Sequence, residues 1–104
     1  MDAKVARQLK INLGAVKRLI KEKASYEQEA KEAADNVQNT TQEPGTYEYK
    51  KLVELREEAE AMIKDCERRL KDFVGKLQAS LNEANGFPDD PNVIEAKQVL
   101  ESIK

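Results

Sequence analysis

Residues 46–84, TYEYKKLVELREEAEAMIKDCERRLKDFVGKLQASLNEA, carry the longest apolar pattern in the chain and decide its fold. Apolar residues recur there at alternating three- and four-residue steps, which only Arg56 and Ser80 interrupt. The apolar positions are Tyr49, Leu52, Ala59, Ile63, Cys66, Leu70, Phe73, Leu77 and Ala84. This a/d pattern continues for about five heptads and predicts one long amphipathic helix. Such a helix needs partner helices, because its stability comes from packing of the apolar seam.

The composition indicates a single all-helical domain over residues 1–104. Ala, Glu, Lys, Leu and Arg make up about half of the chain, which is typical of long or coiled helices. There is no Trp, and the charged fraction of 37% nearly equals the hydrophobic fraction of 39%. We therefore expect a thin aliphatic core, a large solvated surface and an elongated shape.

Turn and capping residues divide the chain into three helices. Pro44-Gly45 is a strong helix breaker, Asn85-Gly86 is a stop signal, and Asp90-Pro91 is an N-cap followed by proline at the first helical position. The predicted helices span roughly residues 2–40, 46–85 and 91–103. The predicted fold is an elongated antiparallel three-helix bundle, with two long helices and a shorter third.

The first helix has two irregular places. Its apolar repeat weakens where Lys23 and Glu27 take the expected core positions, which predicts a registry shift or a local opening with Tyr26 at the boundary. Gly14 lies inside the helix at a cost of about 1 kcal/mol relative to Ala. Either a neighbouring helix or a partner approaches it closely, or it is a tolerated exposed glycine.

The residue inventory argues against an enzyme. The chain has no His and one Cys, Cys66, whose seam position predicts a buried apolar residue. Without a His, a second Cys or a glycine-rich phosphate loop, we expect no catalytic site, no metal and no cofactor. No apolar run approaches the roughly 18 residues that span a bilayer, and no secretory apolar region is visible. We expect a cytosolic protein that does not bind membranes.

Charge is distributed unevenly along the chain. Residues 1–23 carry seven basic and two acidic side chains, whereas residues 24–60 carry four basic and ten acidic ones. Lys10, Lys17 and Lys21 share one side of the first helix, beside Arg18. No aromatic residues are interleaved with these cations, so nucleic acid is not the expected partner and an acidic protein fits at least as well.

A second basic cluster lies in the second helix at Arg68-Arg69, followed by Lys71. It is interpreted either as a partner contact or as a set of intrahelical ion pairs with Asp65 and Asp72. The residues themselves favour the ion pairs only slightly.

Three motifs resemble those of the tubulin-binding cofactor A (tubulin-specific chaperone A) family. The N-terminal motif is Lys10-Ile11, Gly14, Val16-Lys17-Arg18-Leu19, Lys21-Glu22, Tyr26 and Glu29. The supporting motifs are Asp65-Cys66 with Arg68-Arg69-Leu70, and Ala96-Lys97 with Val99-Leu100-Glu101-Ser102. Together they cover nearly the whole chain. Family members commonly have a proline where this chain has Lys64, so a proline kink is expected to be absent or weaker here.

The resemblance implies a cytoplasmic, cytoskeleton-associated monomer that binds β-tubulin and no nucleotide. Such a protein accepts quasi-native β-tubulin after chaperonin release and holds it before heterodimer assembly. A basic side on the first helix suits the acidic character of tubulin. The expected partner-binding residues are Lys10, Lys17, Arg18, Lys21, Glu22, Tyr26, Arg68 and Arg69.

A structural module is the alternative function. A coiled coil or spectrin-like repeat that self-associates or joins a scaffold has the same helical pattern. Spectrin-like repeats usually place a Trp in the first helix, and the absence of Trp makes that version less favourable. A homodimer through the long apolar seam stays open.

Overall fold

The computed structural model describes residues 1–103, which form helices and turns without any β-strand in that range. The helices are α1 (Ala3–Asn39), α2 (Tyr47–Glu83) and α3 (Pro91–Ser102). The first two contain 37 residues each and the third contains 12. The predicted all-α fold, with two long helices and a shorter third, is confirmed.

Side-chain caps fix where each helix begins. The Asp2 carboxylate accepts a hydrogen bond from the backbone N–H two residues later at 2.8 Å. The Thr46 hydroxyl accepts one from the N–H three residues later at 3.3 Å, and the Asp90 carboxylate accepts from the next two N–H groups of α3, at 2.9 and 3.4 Å. Each cap satisfies donors that have no partner inside the helix. At the other end of α2, Gly86 has a φ of +106°, a conformation in which a side chain would be strained.

The chain forms two compact units, and the first contains segments of all three helices. This three-helix unit consists of residues 1–20 together with the chain from Arg69 onward. Leu9, Val16 and Leu77 are fully buried in its core, against Val93 and Ala96 of α3. Aliphatic side chains from all three helices therefore pack against one another in one core.

The two-helix unit, residues 21–68, contains the C-terminal half of α1 and the N-terminal half of α2. Lys23 of α1 forms an ion pair with Glu67 of α2, with the Lys Nζ 3.8 Å from the Glu Oε1. Further along α1, Ala33 lines one groove with Ala59. The two segments therefore run antiparallel. Ala59 and Cys66 are this unit's buried hydrophobic residues, so its core is thin and Cys66 is buried as predicted.

The predicted registry shift in the first helix is wrong. In the two-helix unit, α1 is continuous, and its half-buried positions continue at three- and four-residue steps. These positions are Lys23, Tyr26, Ala30, Ala33 and Val37, with Glu22 and Ala34 half-buried beside them. Lys23 can occupy the seam because its long stem packs while its ammonium reaches Glu67. Ala24 and Glu27 are exposed, so no local opening is needed.

Gly14 does not mark a close helix contact. It is exposed, and a Cβ placed on it would meet no atom within 4 Å among the described residues. Of the two alternatives, the approach of a neighbouring helix is wrong, and Gly14 is an exposed glycine. At Lys64, α2 remains continuously helical. The division of residues 1–104 into a single domain stays a prediction.

Candidate partner-binding surface

Three predicted basic site residues of the three-helix unit, Lys10, Lys17 and Arg18, lie on the outer side of α1. Leu9, Val16 and their neighbours in the seam face the core, and this orientation directs Lys10, Lys17 and Arg18 to solvent. Gly14 lies one turn from Lys10 and adds no side chain to that side. The result is a cationic surface on a continuous helix.

The structure gives Lys17 a partner that the sequence did not indicate. Its ammonium Nζ lies 2.8 Å from Oε1 of Glu95, so the pair joins α1 to α3. Both side chains are partly exposed, and ion pairs of this kind contribute about 1 kcal/mol or less. The Glu95 carboxylate also offsets part of the positive charge near Lys17.

The other predicted site residues are divided between the two units. Lys21, Glu22 and Tyr26 belong to the two-helix unit, where Lys21 is exposed and the other two are half-buried. Arg68 of the same unit forms an ion pair with Asp65, as the ion-pair interpretation predicts. Arg69 is exposed in the three-helix unit.

Ile11 is part of the N-terminal motif but not of the predicted partner-binding residues, and it is 53% exposed. Ile11 lines a shallow groove of about 460 Å³ in the three-helix unit, together with Phe73 and Lys76. The Lys76 ammonium lies 4.5 Å from the centre of the Phe73 ring, a cation–π contact. The sequence does indicate the exposure of Ile11, because this residue lies off the apolar seam of α1. An apolar residue at such a position must face solvent or a partner.

A buried polar pair lies at the same groove. The Asn12 Nδ2 donates a hydrogen bond to the Ser80 hydroxyl at 2.8 Å, and the two residues are 8% and 4% exposed. Ser80 was recognised as a polar position in the seam of α2, but Asn12 was missed. Continuing the three- and four-residue steps from Leu9 to Val16 places residue 12 in the seam, opposite α2.

Other kinds of site are not found in the described part of the chain. Residues 1–103 contain no group of His, Cys, Asp and Glu side chains suited to hold a metal ion. In the same range, no helix combines the length and the apolar character that crossing a membrane requires. The fold defines a small all-helical bundle protein.

Comparison with known proteins identifies the family. The family model "Tubulin binding cofactor A" matches residues 4–100, and the chain belongs to this family. It is 40% identical to human tubulin-specific chaperone A over 99 residues, which cover 94% of this chain and 92% of that protein. It is 30% identical to tubulin-folding cofactor A from Arabidopsis thaliana, over 94% of this chain and 89% of the relative.

Two solved structures have the same fold. The human tubulin chaperone cofactor A superposes with a TM-score of 0.81 at 37% identity, covering 95% of this chain and 97% of the other. The Arabidopsis thaliana tubulin folding cofactor A gives a TM-score of 0.82 at 26% identity, covering 98% and 97%. The predicted family resemblance is thus confirmed by sequence and by structure.

Proposed function

We propose that this chain binds quasi-native β-tubulin after its release from the chaperonin and holds it until the tubulin heterodimer is assembled. The observation that carries the proposal is the family match over residues 4–100, together with relatives named tubulin-specific chaperone A. The protein acts in the cytoplasm, where it supplies subunits to the cytoskeleton, and it is a monomer when free. Its role is binding, without catalysis.

The cationic side of α1 supports this proposal physically. Lys10, Lys17 and Arg18 are exposed on one helix and face an acidic partner favourably. Opposite charges raise the association rate and exclude wrong partners more than they raise affinity. Because the helix is already formed, binding orders few groups and loses little conformational entropy.

The exposed side chain of Ile11 supplies the apolar part of the same surface. An unassembled subunit exposes apolar area that its assembled form buries, and Ile11 with Phe73 offers a complementary patch. Burial of apolar side chains slows dissociation, which suits a protein that must hold its client. We assign Lys21, Glu22, Tyr26, Arg68 and Arg69 as further contact residues.

Size-exclusion chromatography tests the proposal. The purified protein is mixed with β-tubulin, and separately with α-tubulin, at the same salt concentration. We expect co-elution with β-tubulin only, as a one-to-one complex. Co-elution with neither subunit, together with self-association of the free protein, would instead support the structural coiled-coil function.

Charge reversal tests the cationic side of α1. The double variant Lys17→Glu/Arg18→Glu should weaken capture of β-tubulin roughly tenfold or more and leave the helical circular dichroism unchanged. Because Lys17 pairs with Glu95, Glu95→Gln is the matched control. It removes the ion pair but keeps the Lys17 charge, so capture should persist. Equal capture by the double variant and the parent would remove this surface from the mechanism.

A further inference from the structure

The two-helix unit has a groove that none of its own side chains fills. The groove has a volume of about 330 Å³ between α1 and α2. Its apolar part is formed by Leu55, Met62, Ala33 and Ala59. Leu55 is 47% exposed and Met62 is 39% exposed, although both are large apolar residues. We call this feature the acidic groove, for the residues at its rim.

Three carboxylates surround the apolar part of the acidic groove. Glu29 and Glu32 of α1 and Glu58 of α2 line it, and no Lys or Arg does. The Glu32 carboxylate also accepts a hydrogen bond from Gln28 at 3.0 Å. A groove with an apolar strip between carboxylates is complementary to a partner with an apolar strip between cations.

The shape of the groove favours a helix over an extended peptide. Leu55, Ala59 and Met62 follow one another at four- and three-residue steps on α2, which is the spacing that a packed neighbouring helix uses. The small side chains of Ala33 and Ala59 lie between the two segments and leave room for the knobs of another helix. In the three-helix unit, α3 packs on α1 and α2 in this way, whereas the two-helix unit has no third helix of its own.

We propose that the acidic groove docks a cationic amphipathic helix presented by the captured β-tubulin. The identity of the partner rests on the proposed function, whereas the chemistry of the occupant rests on the groove itself. Leu55 and Met62 contact the apolar stripe of that helix, and Glu29, Glu32 and Glu58 face its Lys and Arg side chains. The protein therefore holds its client at an anionic surface in addition to the cationic side of α1.

A synthetic helix tests the occupant without tubulin. The probe is a fluorescent amphipathic peptide of about 20 residues, long enough to form a helix, with leucines on one face and lysines on the others. Fluorescence anisotropy measures its binding to the whole 104-residue chain. The same peptide with glutamates in place of the lysines is the control. We expect the cationic peptide alone to bind, and more weakly as salt rises. Equal binding of the two peptides, or no binding of either, would overturn the proposal.

Matched variants locate the peptide. Leu55→Ser, and separately the triple change of Glu29, Glu32 and Glu58 to Gln, should each weaken binding roughly tenfold, the effect of removing a central interface contact. The control changes Glu27, Glu57 and Glu60 to Gln, which are exposed acidic residues outside the groove. This control variant changes the net charge by the same amount and should bind the peptide as tightly as the parent does. An equal loss of peptide binding in both triple variants would show non-specific charge attraction and refute the proposed docking site.

Competition with tubulin separates this inference from the proposed function. If β-tubulin co-elutes with the parent, the cationic peptide should displace it and the groove variants should capture less of it. Capture that is unaffected by the peptide and by the groove variants refutes the docking site but leaves the proposed function intact. Failure of the parent to bind β-tubulin refutes the proposed function and the identity of the partner, while the peptide measurements still decide what the groove accepts.

Discussion

The buried pair of Asn12 and Ser80 gives a sharp test of what stabilises the three-helix unit. Replacement of Ser80 by Ala removes the hydroxyl that accepts a hydrogen bond of 2.8 Å from the Asn12 amide. The amide then retains only a long contact of 3.5 Å to the Lys76 carbonyl. Because Asn12 is only 8% exposed, its amide has little access to water that could replace the lost hydrogen bond.

The expected cost follows from two opposing effects. A buried donor left without a good acceptor destabilises a fold by about 1–3 kcal/mol. Ala has a higher helix propensity than Ser, which returns roughly 0.5 kcal/mol. We therefore expect Ser80→Ala to lower the free energy of unfolding by about 0.5–2.5 kcal/mol, with a fall in Tm of roughly 4–8 °C per kcal/mol for a chain of this size.

Urea denaturation followed by circular dichroism measures the effect. Ser25→Ala is the matched control, because Ser25 is exposed on α1 and gains the same helix propensity without losing a buried hydrogen bond. The double variant Asn12→Leu/Ser80→Ala replaces both polar partners and should recover most of the lost stability. If Ser80→Ala and Ser25→Ala give the same free energy of unfolding, the pair does not stabilise the fold and this reasoning is refuted.

Three further predictions concern local structure. Gly14→Ala should raise the free energy of unfolding by about 0.5–1 kcal/mol, because the new methyl meets no neighbour, and thermal denaturation should show the gain. Asp90→Ala should lower it by about 1 kcal/mol through loss of the N-cap of α3, measured by urea denaturation, whereas Asp90→Asn should retain the cap. Hydrogen exchange should show slower amide exchange over residues 9–19 than over residues 47–63, because the first segment packs in the larger core.

The two substitutions have matched control variants within the chain. Gly75 is also an exposed helical glycine with no atom within 4 Å of an added Cβ, so Gly75→Ala should give the same gain as Gly14→Ala. Asp89→Ala changes the neighbouring carboxylate, which does not cap α3, and should be nearly neutral. A loss of stability in Gly14→Ala, a neutral Asp90→Ala, or uniform amide protection along the chain would contradict the respective prediction.

The seam of α2 and the helix ends were predictable because local chemistry determines them. The heptad steps from Tyr49 to Ala84 required burial on one side, and most of these positions are buried or half-buried. Thr46 and Asp90 form the expected caps because their side chains reach backbone donors only two or three residues away. No knowledge of distant residues was needed for either.

The polar contacts between helices were less predictable. An apolar pattern does not include Asn12, although Ser80 on α2 marks a matching polar position. Lys23 interrupts the apolar pattern of α1 when that helix is considered alone. Its ion pair with Glu67 follows only from the antiparallel register of α1 and α2. The Lys17–Glu95 pair depends on how α3 docks, and neither short-range spacing nor charge indicates that contact. The family could be predicted from the motifs, but which residues contact a partner stays a prediction.

The thin core and the open groove of the two-helix unit have one cause in the sequence. Ala33 and Ala59 occupy inner positions where the three-helix unit has Leu9 and Leu77, and small side chains bury little area. They also leave Leu55 and Met62 without neighbours to cover them. A partner that buries Leu55 and Met62 therefore stabilises the folded state of this unit. Binding of β-tubulin at the acidic groove should therefore raise amide protection more in residues 21–68 than in the well-packed three-helix unit.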